Sequence, residues 1–517
     1  MRLKFMISKA MGRMSANNST FQFPILDLPN ELVAHIIEFI DDLNTLRNLA
    51  CTSHRLQQLT EPKLWREITF RLAPSLLHIV AATESRHERA SAVQVLNAPL
   101  RPKFGRDMSR LAYLMMIARN LRELMVESPL CNATHLSHFE DHPTWRSMTA
   151  QLFMPFQRAV VGNAVEHRPL QKLTKLTLHL NGPGLPYWTP NERSISIFLH
   201  PTLKYLNISC VNIPEDLFDE VSERAITPLQ HLVLEECNIS VRGLHGLLGL
   251  PTGLEHLVLG ENAHNARQFD NEVEASYNHL FRTNASAVVK ALGQQNHSLK
   301  SLVYVAASAS VFADSQLLRR MAEGRQAGVD AGFADFHALE SITSSGANFT
   351  FERAVLSSAP PPNLKVLTYQ AENAITSPHG SSLQTNADET EMNNRLVALL
   401  PFLRAPSASV PASLERLNIV YQRRVQAPVV FTDDKQAHIE KTAKALKAVH
   451  GAVLMVGFKG FGQYYPPFLY GEDEPKEKMI FDGESGTFYG LKPGYARLAD
   501  LTDEDDSDEE WAPINVS

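Results

Sequence analysis

The chain has 517 residues, a formal net charge of −7 and a hydrophobic content of 44%. A chain of this length exceeds one compact hydrophobic core, so two or more folding units are expected. The negative charge argues against a general nucleic-acid binder, and no apolar run approaches the roughly 18 residues that a transmembrane helix needs. The four cysteines are scattered without a Cys-x-x-Cys pair, which is typical of free thiols in a reducing compartment. We therefore predict a cytoplasmic or nuclear location.

Residues 1–22 are predicted to form a disordered basic arm. The first part of this arm carries no acidic residue and four basic residues, Arg2, Lys4, Lys9 and Arg13. It lacks the apolar core of a secretory signal, and a mitochondrial presequence is the alternative interpretation.

Residues 23–71 contain three short apolar segments, each too short to be a stable helix by itself. The first has an apolar stripe at three- and four-residue steps, formed by Leu28, Leu32, Val33, Ile36, Ile37 and Ile40. The later segments contribute Leu43, Leu46, Leu49, Leu56, Leu59, Leu64, Trp65 and Ile68. So small a unit cannot bury this many large apolar side chains, which indicates that part of it is buried against a partner.

This segment resembles the F-box family in the order of Leu28-Pro29-x-Glu31-Leu32, Ile36-Ile37, the helix from Leu43 to Ala50, Ser53 and Leu64-Trp65. The resemblance implies that residues 23–71 bind a Skp-type adaptor and, through it, the cullin of a ubiquitin ligase. It places the adaptor contacts, or the residues that support them, at Leu28, Pro29, Leu32, Ile36, Leu43, Leu46 and Trp65. The alternative is that the three helices are an ordinary part of the protein's own core.

Residues 72–120 are predicted to form a helical linker. Between Leu121 and Ile419 the pattern Leu-x-x-Leu-x-Leu then recurs, with aliphatic or aromatic substitutes. Its copies begin at Leu121, Leu173, Leu203, Leu229, Leu254, Leu299, Leu339, Leu364 and Leu414. Several copies are 25 to 30 residues apart, as in a structural repeat, and the longer spacings indicate insertions.

This pattern resembles the leucine-rich-repeat family in a divergent form. The fold class that follows is α/β: a small all-helical F-box, then a leucine-rich-repeat-like solenoid over residues 121–425 with a curved parallel sheet and helices outside. The alternative is an irregular α/β domain with chance leucines.

Side chains alternate along a strand, so the residues between the apolar positions are expected on the concave side of the sheet. These residues include aromatic, imidazole and small polar groups with little charge, which suits a protein or peptide partner. We hypothesise that four of them contribute to substrate binding: Tyr205, His231, Glu235 and His256. The alternative is a solvated ladder without a ligand.

Residues 426–498 are predicted to cap the end of the solenoid and to include an amphipathic helix from Asp434 to His450. Residues 499–517 are predicted to form an acidic, disordered tail. Within this tail, Ser507 resembles a site for an acid-directed kinase, because three acidic residues follow it.

The sequence contains no phosphate loop, His-Glu-x-x-His or Gly-x-Ser-x-Gly. No catalytic residue, cofactor or metal site is predicted, because the cluster of His135, His138, Glu140, Asp141 and His142 lacks a partner motif. We predict a non-catalytic substrate-recognition subunit of a Skp–cullin–F-box type ubiquitin ligase, with a protein substrate and no nucleic-acid or membrane partner. The alternatives are a scaffold protein that uses the adaptor without a ligase, and an enzyme with a divergent fold in residues 72–517.

Overall fold

The computed structural model describes residues 25–101, 108–131, 143–161, 168–181, 187–222, 224–261, 280–306, 332–345, 351, 355, 360–372, 411–424, 433–461 and 466–489. The chain divides into two compact units, Met1–Arg66 and Glu67–Ser517. Three predicted features lie outside the described residues: the basic arm, the cluster from His135 to His142, and the acidic tail with Ser507.

The first unit contains three helices, α1 (Asn30–Glu38), α2 (Leu43–Thr52) and α3 (His54–Leu64). The side chain of Asp42 caps α2, and the hydroxyl of Ser53 caps α3 by accepting a hydrogen bond from the Leu56 N–H at 3.2 Å. The three helices pack around a small core of Val33, Ile37, Leu46 and Leu56, with Leu28, Ile40, Leu49, Leu59 and Leu64 partly buried around it.

The second unit alternates strands with helices or irregular segments. Its helices are α4 (Ala73–Ser85), α5 (His87–Ala92), α6 (Met108–Ile117), α7 (Pro143–Val161), α8 (Val241–Leu248), α9 (Leu280–Leu292) and α10 (Asp433–His450). Its strands are β1 (Glu67–Thr69), β2 (Val95–Pro99), β3 (Glu123–Glu127), β4 (Lys175–His179), β5 (Tyr205–Ser209), β6 (Asn212–Ile213), β7 (His231–Ile239), β8 (His256–Glu261), β9 (Ser301–Val305), β10 (Ser341–Ser345), β11 (Val366–Glu372), β12 (Arg416–Arg424), β13 (Val453–Phe461), β14 (Glu477–Asp482) and β15 (Thr487–Phe488).

These strands form one sheet in the order β1-β2-β3-β4-β5-β7-β8-β9-β10-β11-β12-β13-β14-β15, with β6 beside β7. The pairs from β1 to β13 are parallel, whereas β14 and β15 join the sheet antiparallel. Each strand of the main path is therefore paired with the next one along the chain. The protein is thus a helical N-terminal unit followed by an α/β region with a mostly parallel sheet, as the sequence predicts.

Every predicted copy of Leu-x-x-Leu-x-Leu falls on one strand of this sheet, from β3 to β5 and from β7 to β12. The defining positions of each copy are buried; in β7, for example, Leu229, Leu232 and Leu234 are 3%, 0% and 0% exposed. Burial alternates along the strand, because His231, Val233 and the other intervening residues are only partly covered. We call the side of the sheet that carries these half-buried residues the open face.

The helical linker predicted for residues 72–120 differs from the structure, because β2 lies within it and joins the sheet between β1 and β3. The repeat motif is hard to recognise in β2, where the three core positions are Val93, Leu96 and Ala98, all 0% exposed. A small alanine replaces the last large apolar residue, so the template does not match. β1 likewise assigns the end of the predicted F-box segment to the second unit.

The cap predicted for residues 426–498 also differs from the structure, because β13 continues the parallel sheet beyond β12. Gly451, at a positive φ of 70°, occupies the position where the other copies have their leading leucine. The later core positions, Leu454 and Val456, are both 0% exposed, as in the other strands. The helix predicted just before this strand is confirmed by α10. Among the described residues, no helix is long and apolar enough to cross a membrane.

Candidate protein-binding surfaces

Within its described residues, the first unit keeps four large apolar side chains in solvent, although its core is packed. Leu26, Leu32, Phe39 and Leu43 are 48%, 51%, 68% and 55% exposed. We call these four residues the apolar patch. On α1, Val33 and Ile37 point into the core, and Leu32 and Phe39 stay outside it. Large apolar side chains left in solvent beside a packed core are typical of a surface that a partner covers.

Polar contacts from α3 fix the chain around the apolar patch. The guanidinium of Arg55 donates to the Asn30 side-chain oxygen at 2.8 Å and to the carbonyl oxygens of Leu26 and Leu28. The ammonium of Lys63 donates to the carbonyl oxygens of Ile37 and Glu38, at 3.1 and 2.7 Å. The last carbonyls of α1 lack helical partners, and a cation there also complements the helix dipole. The patch is therefore held on a fixed framework.

Two carboxylates beside this framework are held in the charged form. Arg66 donates two hydrogen bonds to Glu38, at 2.6 and 3.1 Å, and this hydrogen bonding lowers the pKa of Glu38. Hydrogen bonds from the hydroxyl and backbone N–H of Thr45, and from Asn44, lower the pKa of Asp42. Both carboxylates lie in solvent, so their main role is to position the helix ends rather than to supply much stability.

The residues predicted to bind the adaptor fall into three groups. Pro29, Leu32 and Leu43 are exposed, whereas Leu28, Ile36 and Trp65 are partly buried. Leu46 is 1% exposed and belongs to the core, so it supports the surface and does not reach a partner.

Leu26 and Phe39, which complete the apolar patch, are not among the residues predicted to bind the adaptor. Phe39 follows Leu32 by seven residues, a spacing that places both on one side of a helix. That spacing is the signal that could have identified it.

A second surface lies on the open face, where four side chains align across β4, β5, β7 and β8. Lys175, Tyr205, His231 and His256 are direct register partners on neighbouring strands. The imidazole rings of His231 and His256 stack at 4.4 Å and 8°, and the Tyr205 ring lies 5.9 Å from that of His231. The Lys175 ammonium is 5.7 Å from the Tyr205 ring centroid. We call these four residues the aromatic row.

Electrostatics favour a neutral imidazole at one end of the aromatic row. Burial and the proximity of His231 lower the pKa of His256. Burial first, and then the negative charge of Glu235, raise the pKa of Tyr205. A neutral imidazole at His256 stacks on the ring of His231 without charge repulsion.

Glu235, the fourth residue of the predicted substrate-binding set, is not brought to this row. It shares the open face but lies four residues further along β7 than His231, about 13 Å at 3.3 Å per residue. Burial, followed by the charges of Glu236 and Glu474, raises the pKa of Glu235 to about 7. The alternation of side chains along a strand predicts the face of the sheet on which a residue lies. It does not predict at which end of the strand a partner can reach that face.

Glu235 belongs instead to a polar row at the carboxyl ends of the strands, where it aligns with Glu127, His179 and Ser209. Glu127, His179 and Ser209 are 2%, 2% and 0% exposed. His179 Nδ1 lies 2.6 Å from the Ser209 hydroxyl oxygen, and burial lowers the pKa of His179 to about 4. On β3, β4 and β5 the carboxyl ends of the open face are therefore covered, whereas Glu235 is half-buried, like the rings of the aromatic row.

Residues 466–474 lie against this polar row, and we call them the clasp segment. The backbone N–H of Tyr470 donates to Glu127 Oε1 at 2.6 Å, and the Tyr470 hydroxyl lies 3.5 Å from the hydroxyl of Thr69 in β1. The guanidinium of Arg71 lies 5.7 Å from the centroid of the Tyr470 ring. Glu474 pairs with Lys459 of β13 at 2.5 Å. The clasp segment thus leaves the last parallel strand and contacts the first ones.

The described residues hold no group of three or more His, Cys, Asp and Glu side chains arranged to bind a metal. Of the thiols, Cys131 is buried, and burial raises its pKa to about 12. At neutral pH this thiol is protonated, so it is a poor nucleophile.

Comparison with known families assigns the first unit. Residues 25–71 match the F-box-like family. No curated protein is similar enough to the chain to be matched. The three helices and their apolar patch therefore form an F-box-like domain. Such a domain implies binding to a Skp-type adaptor, and F-box proteins are typically non-catalytic adaptors.

Proposed function

We propose that this protein is the substrate-recognition subunit of a Skp–cullin–F-box type ubiquitin ligase. The F-box-like domain docks the Skp-type adaptor, and the second unit holds a protein substrate. The observation that carries the proposal is the apolar patch of Leu26, Leu32, Phe39 and Leu43, exposed on a domain whose core is already complete. Burying one large apolar side chain contributes about 1.5–3 kcal/mol, so covering four would favour a stable complex.

We also propose that the second unit is a leucine-rich-repeat-like solenoid, extended beyond the predicted residues 121–425 to include β1, β2 and β13. Consecutive strands pair in chain order, and the repeated core positions are buried, which is the arrangement expected of stacked repeats.

The clasp segment supports a curved sheet. In a flat sheet, β3 and β13 would lie about 43 Å apart, at about 4.8 Å for each of nine strand-to-strand steps. Tyr470 contacts Glu127 of β3, yet it precedes Glu477, which pairs with Lys459 of β13, by only seven residues. Seven extended residues span at most about 25 Å, so the sheet has to bend to satisfy both contacts.

In this proposal the aromatic row is the substrate-contacting surface that the sequence predicted, with Tyr205, His231 and His256 retained and Glu235 set apart. Transfer of ubiquitin takes place on the other subunits of the ligase. The contribution of this chain is proximity, because a bound substrate has a high effective concentration of lysine near the charged thioester.

The test is an affinity capture of the full chain, probed for the Skp-type adaptor and for cullin. The variant Leu32→Asp/Leu43→Asp places two charges in the apolar patch at sites that are more than half exposed, so the domain should fold. We expect both partners to be retained by the parent and lost, by at least about tenfold, from the variant. Leu77→Asp is the matched control, because Leu77 is 46% exposed on α4 of the second unit.

The other results of the capture experiment distinguish the alternatives. Adaptor captured without cullin would favour a scaffold that uses the adaptor alone. Capture of neither partner by the parent, or equal capture by parent and variant, would contradict the proposal.

A further inference from the structure

The clasp segment occupies a place on the open face that is constructed like a peptide-binding site. We propose that residues 466–474 are an internal ligand of this site, and that a partner peptide with an aromatic residue followed by carboxylates binds there in their place. This inference rests on the proposed function, because it gives the chemical class of a segment that the second unit would recognise in its substrate.

Tyr470, one of the two aromatic residues of the clasp segment, contacts groups from three places in the chain. Arg71 lies over the Tyr470 ring at 5.7 Å, Thr69 meets its hydroxyl at 3.5 Å, and Glu127 accepts its backbone N–H at 2.6 Å. A cation over a ring, a hydroxyl partner and a backbone acceptor together select an aromatic side chain in one orientation. None of these contacts depends on the ligand being part of the same chain.

The carboxylate of the clasp segment meets a cation that belongs to the sheet. The Lys459 side chain is 16% exposed, whereas its partner Glu474 is 65% exposed. The cation of the ion pair is therefore mostly buried, and the carboxylate of the clasp segment remains in solvent, as expected of a site that receives an acidic residue from outside.

The clasp segment holds its turn through its own atoms. The Leu469 N–H donates to the Glu472 carboxylate at 2.9 Å, and the Glu472 N–H donates to the Leu469 carbonyl at 2.9 Å. Tyr470 itself is 40% exposed. A short segment with an internal turn and a partly exposed anchor can exchange with a competitor without unfolding the sheet.

The experiment uses a fluorescein-labelled peptide with the sequence of residues 466–474, PPFLYGEDE, and the full-length chain. In the parent, the clasp segment competes with the peptide, so the apparent affinity is reduced by the fraction of molecules in which the site is free. We expect Tyr470→Ala to bind the peptide at least about tenfold more tightly than the parent, measured by fluorescence anisotropy. Tyr489→Ala is the control, because Tyr489 is 46% exposed and lies outside the clasp segment.

Two further changes, one in the peptide and one in the protein, test whether the site selects the tyrosine. A peptide with alanine in place of its tyrosine should bind the Tyr470→Ala protein at least about tenfold more weakly than PPFLYGEDE does. Adding Arg71→Ala to the Tyr470→Ala protein should cause a similar loss. No gain in affinity on releasing the clasp segment, with circular dichroism showing a folded protein, would overturn the inference.

If Tyr470→Ala does not fold, Glu474→Lys tests the same point, because it breaks only the solvent-exposed end of the ion pair with Lys459. If neither variant folds, the clasp segment is a structural strut and the inference is wrong. Adaptor capture by the same proteins separates the two proposals. Retention of the adaptor without peptide binding would contradict this inference alone, whereas loss of the adaptor from the parent would contradict the proposed function.

Discussion

Glu235 combines a half-buried position with an acidic neighbour, and this has a consequence for stability. Burial first, then Glu236 and Glu474, raise its pKa from 4.5 to about 7. The folded state therefore holds a proton on Glu235 that the unfolded state has released at pH 6. Because the folded protein binds more protons in this window, its free energy of unfolding falls as the pH rises from about 4.5 to about 7.

Glu235→Gln should remove this fall in the free energy of unfolding, because glutamine has nearly the shape of glutamate and does not ionise. We expect the variant to be more stable than the parent at pH 8, by at most about 3 kcal/mol, with a smaller difference at pH 4.5. Urea denaturation at both pH values measures this. Glu415→Gln, on the exposed approach to β12, is the control that should change neither value. A difference that does not depend on pH would rule out titration of Glu235 as the cause.

Leu43 and Leu46 are three residues apart on α2 and have opposite roles. Leu46 is 1% exposed and Leu43 is 55% exposed. We expect Leu46→Ala to lower the free energy of unfolding by about 2–5 kcal/mol, because it leaves a cavity. Leu43→Ala should change it by less than about 0.5 kcal/mol while weakening adaptor capture. Thermal unfolding and adaptor capture, measured on the same samples, distinguish the core role of Leu46 from the surface role of Leu43. A large loss of stability in Leu43→Ala would contradict the surface role.

At the residue scale, a local sequence pattern predicts which positions are apolar and which share a face, whereas packing decides which of them stay exposed. The stripe on α1 and just before it contains Leu28, Leu32, Ile36 and Ile37, and periodicity alone does not predict which side of a helix meets the core. Phe39 was therefore missed, although it is 68% exposed. Glu235 was grouped with His231 because both have the same parity on β7.

At the scale of single elements, α8 shows what fixes the start of a helix that follows a strand of the sheet. The hydroxyl of Ser240, 1% exposed, accepts a hydrogen bond from the Gly243 N–H at 2.9 Å. Gly243 has to be glycine, because an added Cβ would lie 2.6 Å from the Pro214 carbonyl oxygen. The cap and the close approach together fix where β7 ends and α8 begins.

Ser240→Ala should therefore lower the free energy of unfolding of the full chain by about 1 kcal/mol, through loss of the cap. Ser341→Ala, at a half-buried position of β10, is the matched control and should change it by less than about 0.5 kcal/mol. Chemical denaturation followed by circular dichroism measures both. Equal effects would mean that the hydroxyl of Ser240 does not act as a cap.

Nine strands could be placed from the sequence, because each leaves the same apolar signature at the same spacing. β2 and β13 could not, since Ala98 and Gly451 stand where that signature needs large side chains. The position of these two strands is fixed by their neighbours. Backbone pairing of β2 with β3 and of β13 with β12 sets their register, even where a large apolar side chain is absent. The sheet therefore tolerates poor copies of the motif between or beside good ones.

At the scale of the whole molecule, the division into a helical unit and a repeated α/β region was predictable from composition and periodicity. The clasp segment was not predictable, because its principal hydrogen bond joins Tyr470 to Glu127, 343 residues earlier. No local pattern carries such a contact.

The clasp segment also changes how the second unit comes apart. Stacked strands that touch only their neighbours behave as a linear array, which can fray from either end. Here Thr69 of the first strand meets Tyr470, 401 residues later, so the two ends are tied to each other. Opening the array at β1 therefore also breaks contacts made by the segment that follows β13, and fraying at one end is resisted by the other. The array should consequently lose its structure as one cooperative block rather than strand by strand.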